Sequence, residues 1–201
     1  MVRRALIAIA ALTVWATPGM ATQDAWPALH DVADVAADDV LNLRAEPGAD
    51  HAAVGALAPD AVRVEVIRAT PDGRWGLVNH GEGTAWAAMR FLARRPGQWQ
   101  GAPVGPLACH GTEPFWSLAI VAGEVRFETP DDARPGTVRF RRTAANRRDV
   151  EAFAFALEDG GAGVAVIGWR ACDDGMSDRA FGLRLDLIVD DALMSGCCSL
   201  R

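Results

Sequence analysis

Short stretches of alternating apolar and polar residues recur along almost the whole chain, with turn-forming residues between them. A period of two over four to eight residues is the signature of half-buried β-strands. In the first half, "DVLNLRAEPGAD" runs Val40, Leu41 and Leu43 into a Pro-Gly turn. "AVRVEVIRA" sets Val62, Val64 and Val66 on one face against Arg63 and Glu65, and "RWGLVNH" and "TAWAAMRFL" follow. About five strands in so short a span predict a small β-barrel. The second half continues with "FWSLAIV", "EVRFETP", "TVRFRRT", "VEAFAFALE", "GVAVIGWRAC", "FGLRLDLIVD" and "ALMSGCC". Phe153 and Phe155 alternate with alanines, and Leu183, Leu185 and Leu187 alternate with Arg184 and Asp186. A helix over 146–155 is the rival reading there, but the alternation favours a strand. Seven or eight such segments in succession predict an antiparallel meander, closed as a barrel or folded as a sandwich. The fold class is all-β, with no internal repeat.

The pattern breaks at two places. "RRPGQWQGAPVGP", Arg94 to Pro106, has several Gly and Pro residues and no hydrophobic period, so it reads as a linker. The chain also opens "MVRRALIAIAALTVWATPGMATQ". Arg3 and Arg4 precede an apolar run, Ala5 to Trp15, that is too short to span a bilayer, and Gly19-Met20-Ala21 offers small residues to a signal peptidase. These features predict a signal peptide over 1–21, a first domain over 22–95, a linker over 96–106 and a second domain over 107–201. No cysteine near the cleavage point supports a lipid anchor, and no later segment is apolar enough to form a transmembrane helix. The mature protein is expected to be soluble and periplasmic or secreted.

Export changes how the chemistry-bearing residues read. In an oxidising compartment the four cysteines, Cys109, Cys172, Cys197 and Cys198, are expected to form disulfides, and their scattered spacing does not suit zinc. A direct Cys197–Cys198 bond would close a strained ring, so Cys109 and Cys172 are expected to bridge to the terminal pair. Cys172 with Cys197 is slightly preferred, but adjacent strand residues face opposite sides and the exchanged pairing stays open. The net charge of −6 becomes more negative once Arg3 and Arg4 leave with the leader, which argues against nucleic acid as a partner. In "CHGTEPFW", Cys109 and His110 suggest a thiol and its base, but neighbours on a strand point apart and cannot share a hydrogen bond.

"CDDGMSDRAFG" offers Asp173, Asp174 and Asp178 as calcium ligands, yet Gly175 stands where an acid belongs. The plainer reading is a tight turn at Asp174-Gly175. Met176 would then cover the barrel end, with Asp178 or Ser177 bonded to backbone amides and a screened Asp178–Arg179 pair beside them. The arginines of "RFRRTAANRR" have acidic neighbours and read as a solvated charged strand. Trp75, Trp86, Trp116 and Trp169 fall in strand patterns and read as core, whereas Trp99 lies in the linker, either docked between the domains or exposed. No Ser-His-Asp arrangement or phosphate-binding loop is present, and neither a cofactor nor a metal is expected.

Two resemblances add to this. "ADDVLNLRAEPGADHAAVGAL", "DGRWGLV" and "EGTAWAAMRFL", within Ala33 to Ala93, resemble the bacterial SH3 (SH3b) domain family, with Ala85 where the family usually has glycine. That resemblance implies an SH3-like barrel and a binding module for cell-wall or peptide ligands. The absence of tyrosine argues against an aromatic proline-peptide groove. Leu107 to Leu200, with "CHGTEPFW", "CDDGMSDRAFG" and a terminal "SGCC", resembles a family of bacterial envelope proteins, many of them lipoproteins, for which no activity is implied.

The reading favoured is a non-enzymatic envelope protein that binds peptidoglycan or an envelope peptide or protein. The candidate recognition loop comprises Asp173, Asp174, Ser177, Asp178 and Arg179, with Glu113 nearby. An inhibitor or modulator of a wall-active hydrolase, like the small β-barrel lysozyme inhibitors in architecture only, is the alternative. An enzyme of unrecognised type using Glu113 or Asp178 is the third.

Overall fold

The computed structural model describes residues 25–102 and 105–201; the leader expected over 1–21 lies outside the described residues. Among them the chain forms sixteen strands and a 3-10 turn at Met89–Phe91, with no α-helix. The all-β expectation holds in both halves.

The first half contains eight short strands: β1 (Ala28–Val32), β2 (Leu41–Arg44), β3 (Ala53–Leu57), β4 (Val64–Val66), β5 (Arg68–Ala69), β6 (Trp75–His80), β7 (Gly83–Ala88) and β8 (Leu92–Arg94). They make a three-stranded sheet, β4-β1-β8, and a five-stranded sheet, β3-β2-β7-β6-β5. Between them lies a small core that includes Leu41, Leu43, Val66, Val78 and Leu92.

Two details depart from the sequence pattern. β1 shows no clean alternation, because Ala28, Leu29 and His30 are all buried in the middle strand of its sheet. A strand covered on both faces loses the period that reveals it. The second departure is that "AVRVEVIRA" is not one strand. Arg63 adopts a left-handed backbone (φ 59°) and Val62 is 63% exposed, so the alternation begins only at Val64. The chain then crosses between the sheets at Ile67, whose amide donates to the Leu77 carbonyl at 2.8 Å.

The second half is a closed eight-stranded barrel in meander order. Its strands are β9 (Leu107–Thr112), β10 (Phe115–Val121), β11 (Glu124–Glu128), β12 (Ala133–Thr143), β13 (Val150–Leu157), β14 (Ala162–Cys172), β15 (Phe181–Val189) and β16 (Ala192–Leu200). β16 returns to pair with β9 and closes the sheet. The alternation seen in the sequence is the inside–outside alternation of the barrel: Phe153, Phe155 and Leu157 point inward on β13 and Leu183, Leu185 and Leu187 on β15. Near Phe153 the Arg141 guanidinium pairs with the buried Glu151 carboxylate and lies 4.6 Å from the Phe153 ring centroid.

Strand geometry separates the two terminal cysteines. Cys198 belongs to the interior core and bonds to Cys109, directly opposite it on β9. Cys197 takes the outward register and bonds to Cys172 at the end of β14. The thiol reading of Cys109 therefore fails twice, since its sulfur is in a disulfide and His110 lies on the other face.

The two halves touch at several points, three of which are specific contacts. The Pro27 ring packs against Gly182, where a β-carbon would come within 2.7 Å of the ring. Asn79 donates to the Ala180 carbonyl and accepts from the Ala180 amide, both at 3.0 Å. Leu200 donates its amide to Glu65 Oε1 at 2.8 Å. The start of the expected linker is also tied down: Gln98 exchanges two hydrogen bonds with the backbone of Leu29. Trp99 beside it is exposed.

Candidate functional site

The β14–β15 loop is held at nearly every residue. Asp173 accepts from the Gly175 amide at 2.8 Å, and Gly175 takes the left-handed backbone the turn requires (φ 70°). Asp174 Oδ1 accepts from the amides of Met176 and Ser177, both at 3.0 Å, and its Oδ2 accepts from the Ser177 hydroxyl at 2.8 Å. Ser177 Oγ accepts in turn from the Arg179 amide. The Cys172–Cys197 bond anchors one end of the loop, and the Asn79–Ala180 pair anchors the other.

Asp174 also joins this loop to β9. Thr112 Oγ1 donates to the Asp174 carbonyl at 3.1 Å, and His110 Nε2 lies 3.6 Å from Asp174 Oδ2. Burial pushes the Asp174 carboxyl up, but the Ser177 and Met176 amides, the Ser177 hydroxyl and His110 together outweigh it and hold it at about 2. It is an anion at neutral pH that accepts three hydrogen bonds within the loop and faces His110 of β9.

The structure reassigns the expected roles. Of the two residues expected to bond to backbone amides, Ser177 does so at the Arg179 amide and Asp178 does not; Asp174 takes the other turn amides, and Asp178 is exposed and forms no ion pair with Arg179. Met176 does not cover the barrel end: its side chain is 67% exposed at the loop tip. Glu113 is exposed in the β9–β10 turn, where the Glu113–Pro114 bond is cis. Among the described residues, no group of three or more His, Cys, Asp or Glu side chains is placed to hold a metal ion.

The "CHGTEPFW" and "CDDGMSDRAFG" stretches, far apart in sequence, meet around one open cleft of about 490 Å3. Phe115, Trp116, Met176 and Pro130 give it apolar walls, and Glu128 and Arg179 contribute charge. Trp116 lies against Gly111, whose missing side chain makes room for the indole. Arg126 holds the Glu128 carboxyl below the usual carboxylate range through a hydrogen bond and its charge. Glu82, in the β6–β7 turn of the first half, completes the rim. The cleft is therefore built by the barrel, with Glu82 of the first half at its rim.

Of the candidate loop residues, Asp174, Ser177 and Arg179 line this cleft, whereas Asp173, Asp178 and Glu113 do not. Sequence reasoning missed Glu82, Phe115, Glu128 and Pro130. Phe115 carried a signal, as an outward strand position occupied by an aromatic; Glu82 carried none, because its contribution depends on how the halves dock.

A second depression, about 1010 Å3, lies in the first half between the loop Pro47–Asp50 and the turn Thr70–Arg74, with Trp75 and Met89 on its wall. The strands that shape it are those of a known domain type. Residues 39–93 match the bacterial SH3 domain. The match takes in β2 to β7 and reaches into β8 but leaves out β1, although β1 is the central strand of the three-stranded sheet. No curated protein and no solved structure matches the chain.

Proposed function

We propose that this is an exported envelope protein that binds ligands and does not catalyse a reaction. The SH3b-like half holds a cell-wall or peptide ligand, and the cleft of the barrel takes a second one. The bacterial SH3 domain family is a family of binding modules, and two disulfides suit an oxidising compartment. The observation that carries the reading is the cleft itself. Two loops distant in sequence are locked around it by a disulfide and a hydrogen-bonded carboxylate, while Phe115 and Met176 are left exposed there. Rigid exposed apolar groups beside a few fixed polar ones are what a binding site needs.

Co-sedimentation of the intact protein with purified peptidoglycan tests this. The protein is expected to be retained. Arg74→Glu and Trp75→Ala, on the wall of the SH3b-like depression, are expected to reduce retention, and the charge reversal keeps the test interpretable if the tryptophan variant folds poorly. Undiminished retention of both variants would refute the recruiting role.

One feature favours a second reading, that of a hydrolase inhibitor. Met176 projects from a loop too constrained to collapse, as an inserted recognition loop must. Inhibition of lysozyme-type hydrolases that is lost in Met176→Asp would support it. Inactivity of the native protein against a panel of such enzymes would rule it out.

A further inference from the structure

The start of the linker and the β12–β13 loop meet around a hollow of about 550 Å3 that shares no residue with the cleft or the SH3b-like depression. Trp99, Gln100 and Gly101 form one wall, and residues 143–148 form the other. Both walls are tied down. Gln98 exchanges two hydrogen bonds with Leu29, and Arg94 donates to the Gln98 carbonyl at 2.7 Å. The Ala102 amide then closes a turn on the Trp99 carbonyl at 2.8 Å. On the other wall, the Ala144 amide donates to the Val150 carbonyl and the Trp169 amide to the Asp149 carbonyl, both at 3.0 Å. Gly101 has a left-handed backbone (φ 88°), and its missing side chain leaves room for the Arg148 stem, 3.3 Å from where a β-carbon would stand.

The groups presented there are unusual for a chain whose net charge is −6. No acidic side chain lines the hollow. The neighbouring Asp149 carboxylate is taken by Arg147, whose Nε and Nη2 donate to it at 2.9 and 2.6 Å, which leaves Arg148 as the excess positive charge. Among the described residues, the side chains of Gln100, Asn146 and Arg148 have no hydrogen-bond or ion-pair partner. The Trp99 indole is 49% exposed, although a tryptophan ordinarily buries most of its large apolar face. Its apolar neighbours in the hollow are only Ala144 and Ala145, so there is no deep apolar pocket of the kind a peptide anchor fills.

We propose that this hollow binds an acidic saccharide, a pyranose ring carrying a carboxylate. The C–H face of the ring packs on the Trp99 indole, and the Arg148 guanidinium, a planar fork of donors, takes the carboxylate. The Gln100 and Asn146 amides each donate and accept, as sugar hydroxyls do, and so match the edge of the ring. Charge complementarity selects an acidic sugar over a neutral one, and the anchored walls keep the ordering cost of binding low. The linker is then a ligand-binding element as well as a connection, independent of the cleft and of the SH3b-like depression.

Titration of the intact, isotopically labelled protein with glucuronate and with N-acetylmuramate, each beside its neutral methyl ester, tests this. At least one acid is expected to move the Trp99 indole N–H and Arg148 Nε resonances together, and to bind roughly tenfold more tightly than its ester. Arg148→Gln should remove that preference and leave binding of the ester unchanged. Trp99→Ala should abolish binding of acid and ester alike, and Trp99→Phe should keep part of it. Both positions are exposed, so the rest of the amide spectrum should stay native. No binding of either acid, esters that bind as tightly as the acids, or an undiminished response in Trp99→Ala would overturn the proposal. Inorganic phosphate that displaces the acid with equal affinity would mark a plain anion site and overturn it too. Arg74→Glu and Met176→Asp, in the two sites described above, should leave this titration unchanged; loss of the response in either would place the saccharide elsewhere and contradict the assignment.

Discussion

The two halves are both all-β, yet they are made rigid by different means. The barrel closes on itself, fills its interior with Trp116, Phe127, Phe153, Phe155 and leucines, and carries both disulfides. The SH3b-like half is two small open sheets around a core whose members are valines, alanines and leucines, with no cross-link. Its Trp75 and Trp86 are only half-buried. The difference suggests a division of labour: the barrel is the platform, and the first half depends in part on docking to it through Pro27, Asn79 and Glu65. The cleft takes its shape from the stiff side, where the two locked loops are.

The largest expected effect breaks the platform. Replacing Cys109 and Cys198 together by alanine opens a loop of 89 residues, and replacing Cys172 and Cys197 opens one of 25. The first should cost about 4 kcal/mol and the second about 3 kcal/mol in urea unfolding of the intact protein. Equal losses, or none, would contradict the view that the longer cross-link carries more of the barrel's stability. The second pair has a further consequence, because it frees the β14–β15 loop, and hydrogen exchange at Met176 and Ser177 should rise there first.

Next in size is the docking contact at Glu65. Burial raises its carboxyl from the ordinary range to about 7, against the lowering pull of the Leu200 amide, Ser199 and Arg179. The folded protein therefore holds this proton more tightly than the unfolded chain. Its stabilisation is fully present below the unfolded value of about 4.5 and is lost as pH rises through about 7. The unfolding free energy should fall between pH 5 and pH 8 by roughly 2 kcal/mol, and Glu65→Gln should flatten that fall. A native profile that rises over the same interval would contradict it.

Asn79→Ala removes two inter-half hydrogen bonds with Ala180 and should cost about 1–2 kcal/mol. Protection should fall in β6 and β7 while the barrel strands stay unchanged. The smallest effect is expected at Asp174→Asn, about 1 kcal/mol at neutral pH. Because its folded value is depressed, the native carboxylate contributes stability above about pH 4 and loses it as pH falls towards 2. The gap between the native protein and the Asp174→Asn variant should close over that interval.

Much of this architecture was legible in the sequence, for a physical reason. Barrel strands with one wet face obey a period of two, so β13 and β15 could be read directly from Phe153, Phe155, Leu183 and Leu185. β1 could not, because its neighbours cover both faces and erase the period. The long alternation from Ala61 misled, since a left-handed Arg63 and a sheet crossing at Ile67 leave no trace in hydropathy. The loop was recognisable as a turn, but Asp174 and Asp178 are chemically alike. Only the folded loop shows which one is engaged: the Asp174 carboxylate accepts from the Met176 and Ser177 amides and faces His110. Glu82 and Glu65 act across the junction, which no local pattern encodes.

Ligand is proposed to bind in the cleft that Glu82 of the first half rims. The most direct measurement is a chemical-shift titration of the intact, isotopically labelled protein with soluble peptidoglycan fragments. Perturbations are expected at Glu82 on one half and at His110, Phe115, Met176 and Arg179 on the other, saturating together. Shifts confined to the Trp75 depression, or none in the cleft at saturation, would contradict it.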